Sequence, residues 1–135
     1  MIYLDYSANT PADPEVLDAY VAAERRYIAN PNSTHIAGQE ARAEMERVTQ
    51  SIAQRLGVQP AEIIYTSGAS EANNLAIKGI AHASRHIGKP IISTQLEHSS
   101  VGASLTALQQ QGYEIDLLDI NRNGRVDLDQ LRELM

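Results

Sequence analysis

The chain contains no cysteine. That excludes a disulfide framework, a thiolate metal site and a cysteine nucleophile within these residues. Phenylalanine and tryptophan are also absent, and the six aromatic residues are all tyrosine. A core must therefore be built from Ala, Val, Ile and Leu. Lysine occurs only as Lys78 and Lys89. Basic residues number 11 against 17 acidic ones, a formal charge of −6. A chain of that sign is poorly suited to neutralise nucleic-acid phosphates. No apolar run approaches the ~20 residues that cross a bilayer. The opening MIYLDYSANT lacks the basic start and apolar stretch of a secretory signal. What is present is an ordinary globular balance, 43% hydrophobic and 21% charged over 135 residues, the length of one domain. The composition points to a small α/β domain in a reducing compartment.

The pattern along the chain alternates. IYLDYS reads as a short extended segment. Asp13 can cap a helix that Pro14 opens, and Val16, Leu17, Tyr20, Val21, Tyr27 and Ile28 form one stripe over residues 14–29. NPNST is a loop of turn formers. Residues 36–56 read as a longer helix, with Ala41, Met45, Val48, Ile52 and Leu56 at three- and four-residue steps and Gly57 placed to end it. EIIYT (62–66), PIIST (90–94) and YEIDLLDI (113–120) read as strands. Helical patterns at 70–86, 98–111 and 126–135 lie between and after them. This order predicts a parallel sheet with crossover helices in a single domain without linkers. Three strands are a small sheet with an uncovered edge, so a partner surface or the remainder of a longer fold is expected beside it.

Three stretches could carry chemistry. In TSGASEANN (66–74) a strand ends in a tight turn of small residues that opens a helix. Free N–H groups and the positive helix end suit a phosphate, and Ser70 adds a hydroxyl. Simple capping by Ser70 is the plainer alternative. In TQLEHSSV (94–101), His98 opens the next helix at the same carboxyl edge of the sheet, where ligands of open α/β folds collect. An imidazole there can stack on a flat heterocycle or exchange protons, or it can merely cap. The run from Asp119 follows the calcium-loop template, with oxygen ligands at Asp119, Asn121, Asn123 and Asp127 and a glycine at Gly124. Gln130 at the last position cannot give a bidentate carboxylate, and a strand rather than a helix leads in, so an Asx-rich turn is favoured. Asn32-Ser33-Thr34 matches a glycosylation sequon without a secretory signal. Lys78, Lys89, His35, His82 and His86 read as ordinary surface groups, with no third metal ligand beside His82 and His86.

Taken together, YLDYSANTP (3–11), NPNSTHIAG (30–38), EIIYTSGASEANNLAIKG (62–79) and TQLEHSSV (94–101), in this order and spacing, resemble the N-terminal part of the NifS/IscS-like cysteine desulfurases. These are pyridoxal-phosphate (PLP) enzymes of the class V aminotransferase group. GYEIDLLDINRNGRVDLDQL is similar to the family's next strand, turn and helix, so the resemblance covers essentially the whole chain. It implies the N-terminal portion of an aspartate aminotransferase-like large domain: residues 1–13 as a leading segment and 14–135 as the first part of one incomplete domain. Ala69 and Ser70 match the positions that hold the cofactor phosphate. His98 matches the histidine that stacks on the pyridine ring and helps move protons. Asn9 stands where threonine is more usual near the substrate.

The resemblance also implies removal of sulfur from L-cysteine, giving alanine and an enzyme persulfide that feeds iron–sulfur cluster assembly in the cytoplasm. That chemistry needs a lysine to anchor PLP covalently, a cysteine thiolate, and an aspartate at the pyridine nitrogen. In the family all three lie later in a longer chain. A truncated chain of this kind is expected to be inactive alone and to bind PLP noncovalently at most. Its expected partners are a second copy or a complementary C-terminal desulfurase chain. The alternatives are a noncatalytic remnant that self-associates or docks to a desulfurase, and a calcium-responsive module at 119–129.

Overall fold

The computed structural model describes residues 2–88 and 90–135. The chain forms two compact units, one ending at Ile64 and the other spanning Tyr65–Met135. Lys89 lies outside the described residues.

In the first unit, residues 2–13 form no ladder. Instead a turn closes on Asp5, whose carbonyl accepts from the Ala8 and Asn9 amides, with Tyr3 Oη also donating to the carbonyls of Asp5 and Asn9. Helix α1 (Pro14–Arg26) starts as its sequence requires: Asp13 Oδ1 accepts from Glu15 N at 2.8 Å, and Pro14 takes the first helical position, where no N–H is needed. The apolar stripe over 14–29 is helical only to Arg26. None of its residues is buried, and Val16, Leu17, Tyr20 and Val21 remain exposed.

Helix α2 (Ile36–Leu56) has the bounds its periodicity predicts. His35 Nδ1 accepts from Gly38 N, and Gly57 ends the helix with a left-handed φ of 69°. Gly38 is buried where a Cβ would lie 2.6 Å from the Ser33 carbonyl, so the NPNST loop can close only against glycine. The helix then packs on a single 3-10 turn, Pro60–Glu62.

The stretch EIIYT departs from expectation. Pro60–Glu62 is a 3-10 turn, residues 63–66 belong to no strand, and Ile64 and Tyr65 are exposed. Extended, β-branched backbone becomes a strand only when a neighbour takes its N–H and C=O groups. Among the described residues no strand pairs with it.

The second unit contains α3 (Ala69–Ala83), a 3-10 turn (Arg85–Ile87), β1 (Ile91–Thr94), α4 (Ser99–Gln109), β2 (Ile115–Leu118) and α5 (Leu128–Leu134). The sheet therefore has two strands among the described residues rather than three. They run parallel, with Ile91 opposite Ile115 and Thr94 opposite Leu118. A parallel pair needs a crossover, which α4 provides. Helices α3 and α4 pack against each other. The core is small: Ala81 of α3, Ser104, Leu105 and Leu108 of α4, and Leu118 of β2 are buried, Leu108 completely.

The reversal before α5 is built from its own side chains. Gly124 turns at φ 77°, and Ile120 bridges Val126 in antiparallel fashion. Asp127 Oδ1 accepts from the amides of Asp129 and Gln130, while Gln130 Oε1 accepts from Asp119 N at 2.7 Å. The residues that fit a calcium template thus act as a turn and a helix cap.

Candidate functional site

The start of α3 departs from simple capping. Its N-cap is Gly68, in extended backbone, and no side chain closes the cap. Ser70 stands inside the first turn rather than at its entrance. The Gly68 carbonyl accepts from Ala72 N and from Thr66 Oγ1, which holds the turn shut from the side of the preceding segment. Glu71 folds back on Ser67, accepting from its amide at 2.6 Å and its hydroxyl at 2.7 Å. Those two donors hold the Glu71 carboxyl below its usual range. Both bonds go to Ser67, ahead of the helix. Among the described residues, no acceptor takes the amides of Ala69, Ser70 and Glu71 or the Ser70 hydroxyl. Four exposed donors at a positive helix end form a shelf that suits a tetrahedral anion.

His98 sits where β1 delivers the chain. After Thr94, whose hydroxyl donates to Glu97 Oε1, a tight turn leads to His98 at the N-cap of α4. Its Nδ1 lies 3.2 Å from Ser100 N and 2.9 Å from Ser100 Oγ. The ring therefore caps the helix, yet Nε2 has no partner among the described residues and the residue is exposed. Capping and a role at a ligand are compatible, because they use opposite ring nitrogens.

Two residues that sequence pattern did not single out join these helix starts. Asn73 lies three residues beyond Ser70, on the same face of α3. Its Nδ2 donates to Ser100 Oγ at 2.9 Å. Ser100 is buried, and this bond is partly buried. Thus Ala69, Ser70 and His98 stand on two helices tied near their starts by Asn73 and Ser100. A serine two residues past a helix-opening histidine was the available signal for Ser100. Asn73 had none, since its partner is 27 residues away.

A roomier apolar groove lies elsewhere among the described residues. About 640 Å³ in volume, it runs past the C-terminal half of α3, between Ile77, Ile80, Arg85, Pro90 and Tyr113. Its lining is mainly apolar, and Tyr113 Oη there is buried without a partner. Volume favours that groove, whereas unpartnered helix-start donors and an exposed imidazole favour the starts of α3 and α4. Chemistry selects the shelf, because polar groups fix the identity and orientation of a ligand. Among the described residues no cluster of three potential metal ligands occurs, and no helix is long and apolar enough to cross a membrane.

Comparison with known proteins follows the same motifs. The profile of the aminotransferase class-V family matches residues 2–135. Human cysteine desulfurase is 44% identical over 131 residues, which cover 96% of this chain and 29% of that protein. Cysteine desulfurase IscS of Dictyoglomus turgidum is 40% identical over 134 residues, 99% of this chain and 34% of that one. Among solved structures, a NifS-like protein superposes with a TM-score of 0.87 at 34% identity, covering 95% of this chain and 35% of its own. SspA in complex with cysteine gives 0.85 at 33% identity, covering 98% and 38%. The chain thus spans about a third of the length of these relatives. The resemblance read from the sequence, and with it the portion of a PLP-transferase fold, stands on these matches. The chain belongs to the aminotransferase class-V family and is similar throughout to the cysteine desulfurases.

Proposed function

We propose that these residues form the cofactor-phosphate and ring-stacking part of a PLP-dependent cysteine desulfurase. The single observation that carries this reading is the uncapped first turn of α3 beside the His98 cap of α4. The donor set fits the group: the amides of Ala69, Ser70 and Glu71 and the Ser70 hydroxyl would hold the phosphate, and His98 would lie against the ring. When bound, PLP supplies an electron sink for the carbon that bears the substrate amine. Ser70 orients one phosphate oxygen, and the α3 dipole favours its charge. His98, with Nδ1 tied to Ser100, presents Nε2 to the ligand and can hold or pass a proton there.

The chain has no cysteine, and Lys78 lies within α3, away from the first turn. The thiolate and the anchoring amine of the family reaction therefore come, in this reading, from polypeptide other than these residues, with L-cysteine as substrate. These residues alone bind the cofactor noncovalently and do not turn over. A cytoplasmic setting, with persulfide passed towards iron–sulfur cluster assembly, goes with that reading.

The test uses pyridoxamine phosphate, which cannot form imines with surface lysines, against pyridoxamine. Titration calorimetry should show tighter binding of the phosphorylated compound. Ser70→Ala should weaken it about tenfold, the weight of a hydrogen bond to a charged group. Equal affinity for both compounds, or indifference to Ser70→Ala and His98→Ala, would overturn the assignment. Addition of a C-terminal desulfurase chain should then restore sulfide release from L-cysteine.

A second reading is a noncatalytic module that self-associates or docks to such a chain. The wholly exposed apolar face of α1 favours it. Sedimentation that shows a complex without cofactor binding or turnover would select this alternative.

A further inference from the structure

The contacts of His98 fix where its proton resides. Ser100 N–H can only donate, and it points at Nδ1 from 3.2 Å. In the neutral ring, Nδ1 must therefore carry the lone pair. Ser100 Oγ lies 2.9 Å from the same nitrogen, and with Nδ1 unprotonated its hydroxyl proton can point there and share that lone pair. With that proton committed, Ser100 Oγ can only accept from its other side, where Asn73 Nδ2 donates at 2.9 Å. Every link has one consistent direction, set by a backbone amide that cannot reverse. Asn73 and Ser100 are less exposed than the histidine they serve, and Ser100 is buried. A partly buried relay of this kind holds its members more firmly than fully exposed pairs do.

We propose that Asn73 and Ser100 are positioning residues that lock His98 as the Nε2–H tautomer and fix its ring plane. The exposed nitrogen then offers a proton to a ligand and takes none while the ring is neutral. The relay deepens the function proposed above and rests on it only for what Nε2 meets; the tautomer itself is a property of the chain without cofactor.

The experiment is two-bond 1H–15N correlation of the histidine-labelled chain at about pH 8.5, where an ordinary imidazole is neutral. The His98 signal is assigned by its loss in His98→Gln. Expected is Nδ1 in the unprotonated range and Nε2 in the protonated one. Ser100→Ala should reduce the tautomer ratio about two- to tenfold, the weight of one hydrogen bond, while Ser100→Thr retains it. Asn73→Asp carries the test if Ser100→Ala disturbs the helix. Its ionised carboxylate only accepts, so it should draw the Ser100 proton away and lower the ratio likewise. A dominant Nδ1–H form, or a ratio unmoved by both Ser100→Ala and Asn73→Asp, overturns the relay. Failure of pyridoxamine phosphate to bind while the Nε2–H form persists overturns the cofactor reading alone.

Discussion

The first turns of α3 and α4 solve the same problem in opposite ways. Each must deal with amide groups that have no carbonyl one turn earlier. Helix α4 spends its opening side chain on them, with His98 accepting from Ser100 N. Helix α3 opens on Gly68, with no side-chain cap, and its acidic residue reaches back to Ser67 instead. Helices α1, α2 and α5 follow the α4 pattern, capped by Asp13, His35 and Asp127. A helix start left to glycine amid side-chain-capped ones forgoes roughly a few tenths of a kcal/mol of local stability. In α3 that loss coincides with donors free to meet an anion.

The comparison holds only while α3 and α4 stay packed, and this gives the largest expected effect. Leu108 is fully buried in α4, so Leu108→Ala should destabilise the second unit by about 2–5 kcal/mol. Denaturant unfolding checks it, and a smaller loss would mean the helix starts are held by something other than this core. Next in size is the loss of an existing cap. Asp127→Ala should cost about 0.5–2 kcal/mol, read as fraying of α5 by amide exchange, with α3 unaffected.

Creating a cap in α3 is the sharper variant. Gly68 is extended, and a Cβ there meets nothing within 4 Å, so Gly68→Asp fits without strain. It should stabilise the chain by a few tenths of a kcal/mol and abolish phosphate binding, since the new carboxylate takes the same amides. Increased stability with undiminished binding would separate the open helix start from any ligand role.

The smallest effect is set by acid. The carboxyl of Glu71 sits below its ordinary value of 4.5, through its two bonds to Ser67. A lowered folded-state pKa means the contribution is present above the unfolded value and is lost as pH falls through the folded one. Exchange protection of the Ser67 amide should therefore persist at neutral pH and fade below about pH 4.5, and Glu71→Ala should remove it at every pH. Protection that is independent of pH would assign it to another acceptor.

Local signals were legible where a single turn of chain contains both the demand and its answer. The bounds of α2 follow from periodicity between His35 and Gly57, and the caps Asp13 and Asp127 act on residues two or three positions away. EIIYT was misleading for the opposite reason. Its composition favours a strand, but pairing depends on another segment, and none among the described residues supplies it. Ser70 likewise proved to lie within the first turn of α3, because Gly68 took the cap position.

Residue type and order alone determined that these residues cannot provide a thiolate, that the family is readable from four short motifs, and that Ser70 and His98 each lie near the start of a helix. Packing decided the rest. Asn73 meets Ser100 only because α3 lies against α4, and that contact closes the relay behind the local cap of His98. Sequence specifies donors and acceptors one residue at a time, but which donor faces which acceptor across 27 residues is a matter of helix packing.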